Sequence, residues 1–282
     1  MQTFSNGIAV GAVLFLMASG LSLLIGAMGV LDLAHGAVYM VGAYLGWTLA
    51  IGLGQPYPVA VIGAGVGAGL LGVVLERLFR RVPGMPDEQI LLSFGLIYVI
   101  TNVVQWVWSP IAKSPFDVSW LEGSVHVASV AIPNVRLAIA VVGFAVALVL
   151  WYVQERTRTG AIVRAGMDDA NMVRALGIHL DWVVVGVFVL GSAVAGIAGA
   201  MGGLVLGASS AQAIDVLLLA LVIVVVGGVG SVVGTFAASM LIGVLDAFSR
   251  SLVPGMSSVA IYALMALVLV VRPTGLSGRL AR

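Results

Sequence analysis

Residues 30–39, VLDLAHGAVY, set an aspartate and a histidine inside an apolar run. No Lys or Arg precedes Arg77, and Asp32 and His35 are the only acidic or histidine side chains ahead of Glu76. The fold turns on what surrounds them. The chain has 282 residues, 61% of them hydrophobic and 9% charged, with a mean hydropathy of +1.16. Soluble domains carry about 25% charged residues. A water-soluble fold of this length cannot hide so much apolar surface. The expected class is therefore all-α, a polytopic transmembrane helical bundle. The 37 glycines agree, because membrane helices pack through small residues. A net charge of +1 gives no electrostatic case for nucleic acid. The absence of cysteine removes disulfides and thiolate metal sites. The first apolar segment has no basic n-region and runs on into more membrane sequence, unlike a cleavable signal peptide.

A bilayer core needs about 20 apolar residues per helix. Working outward, the expected spans are Gly7–Ala27, Gly36–Leu53, Val59–Phe79, Gln89–Trp108, Val135–Val153, Trp182–Leu206, Val216–Val226, Val232–Phe248 and Val259–Val271. That gives eight or nine crossings, according to how residues 26–36 behave. Residues 109–134 read as a polar connection, with Trp108 and Trp120 as interface anchors. Arg77, Arg80 and Arg81 follow the third span. Arg156, Arg158, Arg164 and Arg174 follow the fifth, and Arg272, Arg279 and Arg282 follow the ninth. Single crossings from the fourth span onward put these ten on one side, against Lys113, Arg136 and Arg250 on the other. The positive-inside rule makes the richer side cytoplasmic. The 154–181 loop and the C-terminus are then cytoplasmic, while 109–134 and the N-terminus are external.

The 154–181 loop carries four acidic and four basic residues. Asp168 or Asp169 can cap a short helix there. Met172, Val173 and Leu176 then share a face, and Gly177 suits the left-handed position after its end. Such a helix needs somewhere to put its apolar face, either its own bundle or a soluble partner. Balanced charge argues against a lipid anchor.

Gly63/Gly67 and Gly65/Gly69 in the third span, and Ser192/Gly196/Ala200 and Ala195/Gly199/Gly203 in the sixth, have helix-packing spacing. Gly227-Gly228-Val229-Gly230 lacks the features of a P-loop or dinucleotide fold. His35, His126 and His179 lie in different regions, and no catalytic or metal-binding constellation appears, so an enzyme is not expected. Two Gly-interrupted segments, 26–36 and 227–234, fall in opposite halves of the chain. This points to an internal inverted repeat with a substrate path between the halves. Asp246 is the acidic group of the C-terminal half at depth. Ionisable residues in a membrane default to function.

Four stretches resemble one family: GVLDLAHGAVYMVGAY (29–44), RTRTGAIVRAGMDDANMVRALGIHLDWV (156–183), GGVGSVVGTFAASMLIGVLDAF (227–248) and RPTGLSGR (272–279). They are similar, in the same order, to the H-type membrane subunits of branched-chain amino-acid ABC importers. The resemblance implies one permease domain over residues 1–282 of a multi-pass protein in the bacterial inner membrane. Its partners would be an M-type permease, two cytoplasmic ATPases and an extracytoplasmic binding protein. The chain itself would hold no cofactor, with ATP used by the partners. The loop helix becomes an ATPase-coupling element, with Arg164, Asp168, Asp169, Met172, Leu176 and Gly177 as its candidates. Asp32, His35, Gly36, Gly227, Gly228, Gly230 and Asp246 become the path candidates. The family often has Asn at position 32, Glu at 37, Lys at 219 and Glu at 246, where this chain has Asp32, Ala37, Leu219 and Asp246. The substrate expected is a branched-chain amino acid or a related small polar solute. The alternative is a stand-alone ion-coupled secondary transporter, for which a docking helix would have no use.

Overall fold

The N-terminal run of Ala, Leu, Met and Gly contains no proline, and it forms one helix, α1 (Gln2–Met28), 27 residues long, or about 40 Å. Gly29, at φ +68, ends it by donating to the Ile25 carbonyl. Structure is described here, from a computed structural model, for residues 2–29, 31–82, 86–116, 118, 121, 123–127, 130–253, 255–272 and 274–277. Trp120, Arg279 and Arg282 lie outside the described residues, as does the side chain of Asp168.

A turn at Leu33–Ala34 leads into α2 (His35–Trp47). The second expected span, 36–53, is not one α-helix. It loosens into a π-helical turn at Thr48–Gly52, where a single inserted residue widens the backbone ring. The Thr48 hydroxyl holds this turn by donating to the Tyr44 carbonyl at 2.8 Å and accepting from Trp108 Nε1 at 2.6 Å. α3 (Tyr57–Phe79) follows, with Pro58 in its first turn. Next comes α4 (Pro86–Trp108), which has Asp87 and Glu88 at its positive end.

The 109–134 connection is not wholly irregular, and the fold is not wholly α. β1 (Ser124–Val127) and β2 (Val130–Pro133) form an antiparallel hairpin with Val125 opposite Ile132. Alternating Val, Ala and Ile suit a small ribbon. α5 (Asn134–Arg156), α6 (Arg158–Asp168), α7 (Ala170–Ala175) and α8 (Leu180–Leu206) come next. α9 (Gln212–Gly227), α10 (Val232–Leu252) and α11 (Ser257–Val271) complete the described helices.

Six described helices (α1, α3, α4, α5, α8 and α10) are long and apolar enough to cross a membrane, and α9 and α11 are shorter apolar helices. α1, α2 and α8 form the centre. Phe15, Tyr39 and Phe188 are buried among them. Glycine lets these backbones meet, as at Gly42 of α2, where an added Cβ would touch Gly196 of α8. The glycine stripe of α3 is used within the chain. Gly65 and Gly69 face α8, while Gly63 and Gly67 receive Leu49 and Leu45. Ile62, Val66 and Leu70 on α3 and Leu91, Val99 and Trp106 on α4 remain exposed, as lipid-facing surfaces do.

Charges gather at two ends of the bundle. Arg80 closes α3 on Glu76 at 2.6 Å. That hydrogen bond, and more remotely Asp181 at the start of α8, hold its guanidinium above its ordinary pKa. Arg136 at the start of α5 and Arg250 near the end of α10 line one cavity at the opposite end, together with Thr3 of α1.

Candidate functional site

Within VLDLAHGAVY a turn at Leu33–Ala34 leads into α2 at His35, and Asp32 and Ser93 serve the backbone amides before the helix. Asp32 is buried, and its Oδ1 accepts from the Ala34 amide at 2.9 Å. Ser93 of α4 accepts from the Leu33 amide at 3.2 Å. These bonds replace the backbone partners that a continuous helix would have supplied. Asp32 thus braces the entry to α2. His35 is fully buried, with the Met17 backbone beside it, and neither ring nitrogen makes a hydrogen bond of ordinary geometry. Its Nε2 lies where a Cβ on Gly20 of α1 would be, 2.8 Å away. Gly36 brings α2 against the start of α9, where an added Cβ would collide with the Ala213 carbonyl.

Gly227, Gly228 and Gly230 form a tight turn between two antiparallel helices, α9 and α10. Gly228 and Gly230 adopt φ +98 and +75, which L side chains avoid. Ser231 caps α10 by accepting from the Gly234 amide at 3.1 Å. Three other segments hold the turn. Ser22 of α1 accepts from the Gly230 amide at 3.2 Å, Gln154 of α5 donates to the Gly230 carbonyl at 2.5 Å, and Ser277 donates to the Gly227 carbonyl at 2.9 Å. Ser22 is six residues from the end of α1, so this turn packs beside the last part of that helix.

Asp246 lies elsewhere, 14 residues into α10, or about 21 Å along the helix. It is buried and paired with Arg250 at 2.9 Å. Both line a cavity of about 790 Å³ between α1, α5, α8, α9, α10 and α11, together with Asn6, Arg136 and Asp215. The rest of the wall is largely aliphatic, including Val10, Leu14, Ile139 and Val216. Asn6 Oδ1 is buried without a partner. Among the described residues, Arg136 and Asp215 enter no ion pair with each other or with Asp246 and Arg250. The path candidates therefore occupy three places: the α1–α2 break, the α9–α10 turn and this cavity. Asn6, Arg136 and Asp215 were missed as site residues. Asp215 carried a signal, an acid inside an apolar run, but it sits in the first turn of α9, where a helix dipole explains an acid equally well.

The 154–181 loop forms two helices rather than one. Thr157 caps α6 by accepting from the Gly160 amide at 3.2 Å, and Asp169 caps α7 through the Met172 amide at 2.9 Å. Gly177 has φ +79 and follows α7 as a left-handed terminator. Arg164 turns back to donate to the Gln154 carbonyl at the end of α5. Met172, Val173 and Leu176 do not share a fate. Val173 is buried, at 3% exposure, whereas Met172 and Leu176 are 60% and 72% exposed. One apolar side chain mounts α7 on the protein and two project from it.

The family model for branched-chain amino acid transport system / permease component matches residues 3–269. This chain belongs to that family. Curated permeases agree along their length. The high-affinity branched-chain amino acid transport system permease protein LivH of Salmonella typhimurium is 30% identical, over 99% of this chain and 96% of its own. The corresponding protein BraD of Pseudomonas aeruginosa is 30% identical over the same shares. LivH of Escherichia coli is 29% identical. Among solved structures, PsaBC from Streptococcus pneumoniae in complex with Fab superposes with a TM-score of 0.54 at 14% identity. The match covers 96% of this permease and 91% of that chain, a likeness of fold. The family places the chain among transport permease components, not enzymes.

Proposed function

We propose that this chain is the H-type permease subunit of an ABC importer in the bacterial inner membrane. Its solute is a branched-chain amino acid or a related small polar solute. It pairs with an M-type permease to form the path. Two cytoplasmic ATPases hydrolyse ATP, an extracytoplasmic binding protein delivers the solute, and the chain itself holds no cofactor. The observation that carries this reading is α7: a short, capped helix mounted through Val173, with Met172 and Leu176 projecting outward. A self-contained carrier has no need of such a helix. α6 and α7, with Arg164, Asp168, Asp169, Met172, Leu176 and Gly177, form the coupling element.

The nine apolar segments give eight or nine crossings, with the C-terminus cytoplasmic. The cavity holding Asp246 is the external arm of the path. Unpaired Arg136 and Asp215 supply opposite charges for a zwitterion, and the aliphatic wall suits a branched side chain. The inner arm runs past Asp32, His35 and Gly36 to the turn at Gly227, Gly228 and Gly230. ATP-driven closure of the ATPases moves the coupling elements, and the two permeases rock about the path between them.

Purification in mild detergent, followed by reconstitution, tests the proposal. The expected result is co-elution of two ATPases and a second permease, and uptake that requires ATP and the binding protein. Uptake by this chain alone on an ion gradient would overturn it in favour of a secondary transporter.

A further inference from the structure

We infer that Gln154 is a positioning residue for transport, fastening the α6–α7 element to the Gly227–Ser231 turn and, through it, to α1 beside His35. This rests on the importer reading given above. Gln154 is buried near the end of α5. An amide side chain is costly to bury unless both its donor and its acceptor are used. Here both are used on the same turn. Nε2 donates to the Gly230 carbonyl at 2.5 Å and Oε1 accepts from the Val232 amide at 3.3 Å. The backbone carbonyl of Gln154 meanwhile accepts from Arg164 of α6. Gly160 of α6 sits so tightly on the Val153 and Gln154 carbonyls that a Cβ there would collide with both. One residue therefore grips the coupling element with its main chain and the turn with its side chain.

The link continues beyond the turn. Ser22 Oγ accepts from the Gly230 amide and donates to Thr235 Oγ1, each at 3.2 Å. Ser22 is two residues from Gly20, against which the His35 ring lies. The turn is itself stiffened, because Leu276 donates to the Val226 carbonyl at 2.8 Å and the Ser231 hydroxyl donates to Ser277 Oγ at 2.7 Å. A cavity of about 240 Å³, lined by Gln154, Gly160, Val163, Gly186 and Leu190, lies between α5, α6 and α8, while Gly166 of α6 packs on Leu180 of α8. α6 is thus joined to α5 at Gln154, and Gln154 to the turn, so a push on α6 and α7 has a direct route to the turn through this residue. A contiguous chain of this kind becomes a coupling route only when perturbing it alters coupling.

The test uses the complete reconstituted complex, with ATP hydrolysis and solute uptake read in the same proteoliposomes. Gln154→Met keeps the length and removes both bonds. Gln154→Glu keeps an acceptor for Val232 and loses the donor to Gly230. We expect both variants to hydrolyse ATP. Uptake per ATP should fall about tenfold in Gln154→Met, the equivalent of two lost hydrogen bonds, and less in Gln154→Glu. A purely structural residue would change yield and melting temperature but leave uptake per ATP unaltered in assembled complexes, and that result overturns the proposal. If Gln154→Met fails to assemble, Gln154→Glu and Ser22→Ala decide, and normal uptake per ATP in both overturns it. Absence of ATP-dependent uptake in the wild type instead overturns the importer reading.

Discussion

Asp32 illustrates how a membrane acid serves structure through one oxygen. Its Oδ1 accepts from the Ala34 amide in the turn just ahead of α2, where no helical partner exists. Asparagine offers the same oxygen without the charge. Asp32→Ala should therefore cost about 0.5–2 kcal/mol, as the loss of a capping side chain does, while Asp32→Asn stays close to wild type. Thermal unfolding of the detergent-solubilised protein measures both, and equal destabilisation would refute this bracing role. Uptake then isolates the charge, since an Asn variant that is stable but inactive would assign the carboxylate to the path. Gly36 has a steric role. Gly36→Ala drives a Cβ into the Ala213 carbonyl. Overpacking of this kind costs about 1–3 kcal/mol, so a lower melting temperature is expected even where uptake survives.

At the scale of elements, what the sequence made legible follows hydrophobic run length. Uninterrupted runs gave α1, α3, α4, α5, α8 and α10, and Gly177 and Asp169 marked the ends of α7. The π-helical turn at Thr48 was hidden, because it depends on the Trp108 indole 60 residues away. The hairpin at 124–133 was hidden by its brevity. Gln154 was invisible because a glutamine near a helix end is ordinary until its partners at 230 and 232 are known. The face of α7 was misread because periodicity identifies apolar positions without saying which of them face the bundle. That distinction yields a prediction. Val173→Ser removes the buried anchor and should lower stability by about 1–3 kcal/mol. Met172→Glu and Leu176→Glu should leave melting unchanged and abolish co-elution of the ATPases. Unimpaired co-elution in both Glu variants would remove α7 from the docking surface. Gly177→Pro, which imposes φ near −65° where +79 is required, should uncouple uptake from ATP hydrolysis.

The whole molecule has two chemically different ends, and the helix count fixes which termini share them. Thr3, Arg136 and Arg250 line one cavity, so the start of α1, the start of α5 and the end of α10 lie together. Gln154, Gly230 and Ser277 meet at the other end, with Arg156, Arg158 and Arg164 nearby in sequence. Positive residues remain in the cytoplasm because translocating them is costly. The Gln154 end should therefore face inward, and the N-terminus should share the outer side with the 109–134 connection. The chain has no cysteine, so single-cysteine variants report sidedness without background. A membrane-impermeant maleimide applied to intact spheroplasts should label Thr3→Cys and Ser114→Cys, and should reach Ala175→Cys and Thr274→Cys only after lysis. Labelling of Ala175→Cys without lysis would reverse the orientation and leave α7 on the wrong side for an ATPase. Protection of Thr3→Cys alone would mean that α1 does not cross the membrane, separating it from the cavity that it lines.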